Sequence, residues 1–454
     1  YLLSGPDNGT ATALDDLQMQ DSSHFVAFDF AGSSDDGEDD YWTITNGYCP
    51  RLSWQTDDGP LLPSPPATTL SGRGYPRDPY KISSYADFVE FRTNRSLRCG
   101  YFVLEVDIDL AMEAFTTSVV DGTFGGHFDG KGHAIKNITI LTGSYGRLGL
   151  FGRMDHGSLH NLTLENVNIT GSGSIGGFCG FNYGSLRNCH ISGAITTEYT
   201  SSHLGGLCGT NFGRVSECSV DCVLNDRHSA EDAGGICGRN YGPISKCFAR
   251  GSIAGGLKVG GVCGFNYTGS IDNCYSTMSV TGGRYVGGLC GRHYSTRTTK
   301  ATITNCYSAG PVEGDQDVGG LVGDSYYGKT TYSFWDTQAS GLVGSDGGTG
   351  KTTAEMKMLS TFLDAGWDFT NESANGTDDL WRLCIDGTDY PRLAWEFGPD
   401  YACPDGVSIG DLLYLSNRWL ERELAPYTSA DRTGDGAVNL DDYGLLSEQW
   451  LQQP

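Results

Sequence analysis

The sequence is poor in charged residues and contains no long apolar run. Lys, Arg, Asp and Glu make up only 19% of the 454 residues, below the usual quarter. Acidic residues outnumber basic ones by 55 to 30, which gives a net charge of −25. This charge would repel an extended polyanion, so nucleic acid is not expected as a partner. Because no stretch of about 18 apolar residues occurs, no membrane-spanning helix is expected either.

The cysteines also lack one frequent motif, the Cys-x-x-Cys pair. Fifteen are present but none forms a Cys-x-x-Cys pair, and so many cysteines indicate an oxidising compartment. The sequence opens with neither an initiator Met nor a leader, so we expect the numbering to start at a mature end. Together these features predict an exported protein, extracellular or at the cell surface.

Glycine is abundant, with 66 residues, about twice the usual share of roughly 7%. Much of it lies in a recurring Gly-Gly-x-Cys-Gly segment, each copy followed by a turn and a short apolar segment. A period of 26 to 32 residues is too short for a helix pair and favours one coil of a parallel β-solenoid, with about three strands per coil. The copies begin at Gly176, Gly205, Gly234, Gly260 and Gly287, and a variant with Val in place of Cys begins at Gly319.

Equivalent positions of a solenoid stack along its axis, so the repeat predicts two continuous columns. The residue before each cysteine should form an apolar column, and a recurring asparagine should form a ladder that bonds its own turn and the amide of the next coil. We interpret these asparagines as structural. The two sets are Phe178, Leu207, Ile236, Val262, Leu289 and Leu321, and Asn182, Asn211, Asn240 and Asn266.

The coils resemble the GLUG-motif repeats of bacterial surface proteins. Segments from Asp78 to Ile135, with a short helix near Ala86 to Phe91, resemble the N-terminal helical cap and first coils of that family. Segments from Phe334 to Thr353 resemble its exit segment. The resemblance covers roughly residues 76 to 398 and implies an all-β fold, a parallel β-solenoid over 76–343 followed by a tail over 344–398.

The first 57 residues repeat that tail without a solenoid before them. Asp39-Asp-Tyr-Trp42 and Pro50-Arg-Leu-Ser-Trp54 recur as Asp378-Asp-Leu-Trp381 and Pro391-Arg-Leu-Ala-Trp395. A Pro-rich linker follows over 58–75. Three explanations stay open: the chain was cut from a longer precursor, the segment folds back on its own chain, or it binds the exposed end of a neighbouring solenoid and builds a head-to-tail filament or other homo-oligomer.

Residues 399–454 form two related helical segments and contain the strongest chemical signal. Oxygen ligands stand at loop positions 1, 3, 5, 9 and 12, with a backbone carbonyl at 7 and Gly at 6, as in an EF-hand loop. The loop resembles that of type I dockerin domains. The equivalent loop starting at Asp400 has lost two side-chain ligands, so one Ca²⁺ ion is expected. Its predicted ligands are Asp431, Thr433, Asp435, Ala437 through its carbonyl, Asn439 and Asp442.

Cysteines occur in pairs within five coils and are absent from both positions of the flanking coils. This joint presence favours a disulfide inside each coil, although ladders of thiols along the axis would give the same counts. The predicted pairs are Cys179 with Cys189, Cys208 with Cys218, Cys237 with Cys247, Cys263 with Cys274 and Cys290 with Cys306. Five others remain, an odd number, so at least one is free or pairs with another chain: Cys49, Cys99, Cys222, Cys384 and Cys403.

No catalytic residues are predicted, because acids and bases do not recur in register within the coils. The sequence therefore favours a non-enzymatic structural or adhesive protein with long lateral surfaces for glycans or protein neighbours. The alternative is a secreted polysaccharide lyase or glycosidase with a dockerin-like anchor.

Overall fold

A computed structural model describes residues 68–198, 203–226, 231–370, 372 and 374–397, with Tyr443 and two short strands of the N-terminal segment, Trp42–Thr43 and Arg51–Leu52. Of 143–145 only the backbone is described. The predicted calcium loop lies outside the described residues, as do Cys49 and Cys403. The domain boundaries given above remain predictions.

The described chain winds into a parallel β-solenoid, as predicted. One side is an eight-stranded sheet in which each strand pairs in parallel with the equivalent strand of the next coil. Its strands are Val120–Phe124, Phe151–Met154, Cys179–Asn182, Cys208–Asn211, Cys237–Asn240, Cys263–Tyr267, Cys290–Tyr294 and Val322–Tyr326.

The other sides form a second, continuous parallel sheet. Its strands are Tyr80–Ile82, Tyr101–Leu104, Ile108–Asp109, His127–Asp129, Ala134–Lys136, Thr139–Leu148, Ser158–Ile175, Ser185–Thr197, His203–Gly205, Arg214–Ser216, Ser219–Asp226, Asp232–Gly234, Pro243–Ser245, Phe248–Ala254, Lys258–Gly260, Ser270–Asp272, Tyr275–Ser276, Ser279–Gly287, Thr302–Thr304, Tyr307–Ser308, Val312–Gly319, Lys329–Thr331, Phe334–Asp336 and Thr349–Lys351.

Both predicted columns are present. The six residues of the apolar column are fully buried, and the asparagines form an amide ladder. Asn182 donates from Nδ2 to Asn211 Oδ1 at 2.8 Å, and its own Oδ1 accepts from the backbone N–H of Gly184 at 3.0 Å. The repeated glycines follow from the tight stacking of the coils. A Cβ on Gly205 would lie 2.7 Å from Cys237 Cα in the next coil.

A helix covers the N-terminal end of the solenoid. It spans Tyr85–Thr93, close to the predicted 86–91, and Ser84 caps it by accepting from the backbone N–H of Asp87. Phe88 and Phe91 are buried, and the Phe91 ring lies 4.7 Å from that of Phe102. The 3₁₀ turn Arg95–Leu97 follows. Aromatic packing thus closes this end of the core.

The opposite end is covered by the exit segment. Ser345 Oγ accepts from the backbone N–H of Val322 at 2.8 Å, and Thr349–Lys351 pairs with Phe334–Asp336. The short helix Thr337–Ser340 connects these two strands, and the helices Thr353–Met356 and Leu359–Leu363 come after Thr349–Lys351. The chain then forms the hairpin of Trp381–Arg382 with Arg392–Leu393 and a 3₁₀ turn at Ala394–Phe397. Among these described helices, none is long and apolar enough to cross a bilayer.

Candidate functional site

The predicted disulfides within the coils are wrong. All ten coil cysteines are free and buried, and they form two thiol ladders along the axis. Each cysteine of a coil stacks on the equivalent residue of the next coil, at the spacing of neighbouring strands of about 4.8 Å. Cys237 Sγ and Cys263 Sγ are 3.9 Å apart, far beyond a disulfide bond of about 2.05 Å. The first ladder is Cys179, Cys208, Cys237, Cys263 and Cys290, and the second is Cys189, Cys218, Cys247, Cys274 and Cys306.

The second thiol ladder has a hydrogen-bonding role at a corner of each coil. Cys306 Sγ donates to the carbonyl of Thr304, two residues before it, at 3.0 Å, and it accepts from the backbone N–H of Cys274 at 3.4 Å. In the last coil Ser333 makes the same two bonds, to the carbonyl of Thr331 and from the N–H of Cys306. The position equivalent to these cysteines in the last coil is therefore Ser333.

The remaining described cysteines have mixed states. Cys99 is an exposed thiol and Cys222 a buried one, which confirms that at least one leftover cysteine is free. Cys384 is disulfide-bonded.

A column of aromatic residues runs along one lateral face and receives the tail. We call it the docking column: Phe248, Tyr275, Tyr307 and Phe334 in successive coils, extended to His190 two coils before Phe248. The Phe248 and Tyr275 rings lie 5.1 Å apart and the Tyr275 and Tyr307 rings 4.9 Å apart, both stacked. Apolar residues of the tail pack against these rings. Beyond the last coil, the tail therefore turns back along the side of the solenoid instead of only covering its end.

The tail interface also contains a buried carboxylate. Glu396 accepts from Tyr275 Oη at 2.8 Å and from Arg392 Nε at 3.0 Å. Burial raises the pKa of Glu396, with Arg392 acting in the opposite direction. Tyr307 Oη donates to the carbonyl of Pro391 at 2.6 Å. These bonds fix the register of the tail on the docking column.

A second aromatic column lies at another corner of the coils and has no cover among the described residues. We call it the open column: each ring follows a residue of the amide ladder or its extension. Successive rings are 4.5 to 5.3 Å apart, and Phe212 and Tyr326 are 38% and 47% exposed. Its members are Tyr183, Phe212, Tyr241, Tyr267, Tyr294 and Tyr326.

Arginines lie beside the open column on the outer face of the eight-stranded sheet. Arg153 is 4.3 Å from the centre of the Tyr183 ring, and Arg292 is 5.9 Å from that of Tyr294. Both arginines also pair with acids, Arg153 with Asp155 and Arg292 with Asp324. Rings, cations and carboxylates thus alternate on this face, although the protein as a whole is strongly acidic.

A buried ionic cluster supports the same face. Asp232 is fully buried and accepts from Arg239 Nε at 2.5 Å and from Lys258 Nζ at 2.7 Å. The candidate ligand atoms of His203, Glu231 and Asp232 lie within 4.8 Å of one another, but the two cations already neutralise Asp232. Burial, assisted by Arg239, lowers the pKa of His203 to about 4. We interpret the cluster as structural support for the face.

The aromatic columns were missed in the sequence, although the signal was present. Each ladder asparagine is followed directly by an aromatic residue, as in Asn182-Tyr183 and Asn211-Phe212. Because the ladder was predicted to stack, its neighbour had to stack as well. The docking column carried a similar signal, because its residues directly follow the second cysteine of a coil, as in Cys247-Phe248 and Cys274-Tyr275.

Comparisons with known proteins find a motif family, a sequence relative and a solved structure that are similar to parts of this chain. A family model of the GLUG motif matches residues 171–196, 255–281 and 282–312. Halomucin of Haloquadratum walsbyi is 31% identical over 205 residues, which are 42% of this chain and 2% of halomucin, so the chain spans only a small part of that relative. A Bacteroides ovatus crystal structure, described as an immunoglobulin A1 protease candidate, aligns with TM-score 0.46 and 20% identity over 71% of this chain and 94% of that one.

The stacked parallel coils define the protein as a β-solenoid. Three segments of this solenoid match the GLUG motif.

Proposed function

We propose that the protein is an extracellular structural or adhesive rod, without enzymatic activity, that contacts its partners through the open column. The observation that carries this proposal is the contrast between the two aromatic columns. One is covered by the tail, whereas the other presents six neighbouring rings along one line, stacked except between Tyr241 and Tyr267, with no cover among the described residues. GLUG repeats and the solenoid fold fit a structural or surface protein.

The geometry of the open column restricts how it can bind. Tyr267 and Tyr294 stack with an angle of 6° between their rings, so these two rings shield each other's faces, whereas Tyr241 and Tyr267 are tilted by 59°. Solvent meets ring edges and hydroxyl groups instead, repeated once per coil. Such a line suits an extended partner, glycan or protein, that forms hydrogen bonds to tyrosine hydroxyls and arginines along its length.

A polysaccharide-degrading enzyme remains the competing proposal. Such an enzyme needs a proton donor or abstractor facing a groove. Among the described carboxyl groups, those with a raised pKa are Asp272, Asp368 and Glu396. Asp272 accepts from Asn273, which itself bonds Trp381 of the tail, and the other two belong to the tail. These positions support structural roles rather than catalytic ones.

For residues 399–454 we propose a dockerin-like module that holds one Ca²⁺ ion through the six predicted ligands. In this proposal the ion orders the two helical segments, because its ligands come from a loop with little core of its own.

The proposed function can be tested by retention on a panel of immobilised acidic and neutral polysaccharides. We expect the protein to be retained on at least one, and Tyr241→Ser with Tyr267→Ser to lose that retention. Tyr332→Ser is the matched control, because Tyr332 is 60% exposed but lies outside the open column. Release of unsaturated or reducing ends by the wild-type protein would instead support the enzyme.

A further inference from the structure

The docking of the C-terminal hairpin depends on two tryptophans that contact successive coils. Trp381 is fully buried, donates from Nε1 to Asn273 Oδ1 at 2.8 Å, and lies 6.2 and 6.0 Å from the Tyr275 and Tyr307 rings. A buried indole needs such a partner for its N–H group. Trp381 therefore anchors the hairpin at the middle of the docking column.

Trp395 extends the contact to earlier coils. Its Nε1 donates to the carbonyl of Lys246 at 3.0 Å, and its ring lies 5.6 Å from Phe248 and 5.4 Å from His190. The two indoles thus bind the column by ring contacts and by one hydrogen bond each. Hydrogen bonds to fixed acceptors make this interface specific in register as well as apolar.

The N-terminal segment contains a similar hairpin, whose strand connection, residues 44–50, is shorter than the corresponding 383–391. Strands Trp42–Thr43 and Arg51–Leu52 pair antiparallel with Trp42 opposite Leu52, as Trp381 lies opposite Leu393 in the C-terminal copy. Trp54 follows Leu52 by two residues, the spacing that separates Trp395 from Leu393. Both copies therefore share the strand register and the tryptophan positions by which the C-terminal hairpin docks.

We propose that the N-terminal hairpin of one copy binds the docking column of a second copy, in exchange for that copy's own C-terminal hairpin. Trp42 then takes the place of Trp381 and Trp54 that of Trp395. Since each copy donates a hairpin and offers a column, the contact is heterologous and propagates into an open chain. This inference goes beyond the proposed function, which uses the open column, by assigning the docking column to a second copy of the chain, and the proposed function would survive the failure of the exchange.

Two sequence differences between the hairpins favour binding of the C-terminal hairpin to the docking column over binding of the N-terminal one. Glu396, which bonds Tyr275 and Arg392, corresponds to Gln55, and Tyr390, which donates to Asp336 Oδ2 at 2.5 Å, corresponds to Cys49. The N-terminal hairpin therefore lacks the carboxylate and the phenol that form these bonds in the C-terminal hairpin. The C-terminal hairpin also has the advantage of intramolecular binding, so exchange in the wild-type protein is weak.

Weakening the C-terminal hairpin should shift this balance. In the full chain, Trp381→Ala with Trp395→Ala removes both anchors and frees the column. We expect self-association measured by analytical ultracentrifugation to strengthen at least tenfold over the wild type. Adding Trp42→Ala and Trp54→Ala to the same chain should abolish the gain, and circular dichroism should show an unchanged solenoid in both.

A milder variant guards against general damage to the tail. Glu396→Gln copies Gln55 and should strengthen association in the same direction by a smaller factor. Association that persists after Trp42 and Trp54 are replaced would overturn the proposal. So would a doubly substituted chain that stays monomeric, a result that would place the N-terminal hairpin on its own chain.

Discussion

His293 interrupts the amide ladder and provides a sharp test of it. It pairs in register with Asn266 and its Nδ1 lies 3.2 Å from Asn266 Nδ2. The side chain is fully buried, and burial lowers its pKa from 6.5 to about 4. Replacing it by asparagine should extend the ladder by one residue and remove a titrating group from the core.

The sign and size of the effect follow from proton linkage. Above about pH 6.5 neither state of His293 binds a proton, so it contributes no pH dependence. Between pH 6.5 and 4 the unfolded chain binds the proton and the folded chain does not, so stability falls as the pH is lowered. With the folded pKa at about 4, the loss is about 2 kcal/mol at pH 5 and about 3 kcal/mol once the pH is below the folded pKa.

The measurement is urea unfolding, followed by circular dichroism, at pH 7 and pH 5. His293→Asn should reduce the stability difference between the two conditions by about 2 kcal/mol relative to the wild type. His156→Asn is the control, because the His156 side chain is 82% exposed, and it should leave that difference unchanged. If His293→Asn and the wild type lost the same stability on acidification, the account of a neutral, buried His293 would be refuted.

Further predictions concern the thiol ladders and the calcium loop. Cys306→Ser should change the free energy of unfolding by less than about 1 kcal/mol, because Ser333 already shows that a hydroxyl makes both hydrogen bonds at this position. Cys237→Ser should lower the free energy of unfolding by about 1–3 kcal/mol, because the neighbours of Cys237 are thiols. Urea unfolding compares the two variants, and equal losses of stability would contradict the distinct roles of the two ladders. Alkylation of the denatured, unreduced protein followed by mass spectrometry should label all ten ladder cysteines, and an unlabelled pair from one coil would restore the disulfide prediction. Calorimetry should detect one Ca²⁺ ion bound to the wild type and none to Asp435→Ala, and equal binding would show that the site was assigned to the wrong residues.

The part of the fold that repeats could be predicted from the sequence. A fixed period places equivalent residues in one line, so the burial of Phe178 and the hydrogen bonds of Asn182 followed from the spacing alone. The helix near Phe88 was predicted in another way, from the resemblance of these segments to the N-terminal cap of the GLUG-repeat family. Stacking turns a one-dimensional repeat directly into three-dimensional neighbours.

The predictions that failed, and the features that were missed, depend on where side chains point within a coil. Joint occurrence of Cys237 and Cys247 fits a bond across the coil and also two ladders along it, and only the positions of the side chains distinguish them. The path of the tail could not be predicted either. Trp381 and Trp395 are recognisable as apolar anchors, but the sequence does not identify the face of the solenoid that receives them. The calcium ligands, which belong to a loop outside the described residues, remain a prediction.

The covered ends of the solenoid decide how such rods can associate. Strand addition requires an open edge, yet the N-terminal helix covers one end and Ser345 and Thr349–Lys351 bond to the last coil at the other. A further edge strand, Val312–Gly319, presents Glu313, Asp315 and Asp317 to solvent. Asp317 is paired with Arg284, and the other two acids oppose pairing of this edge with an identical copy. Growth through the strands is therefore disfavoured, and lateral aromatic surfaces remain for association. Because one of them already binds a hairpin that the chain carries twice, exchange of that hairpin needs no surface beyond those the protein already uses.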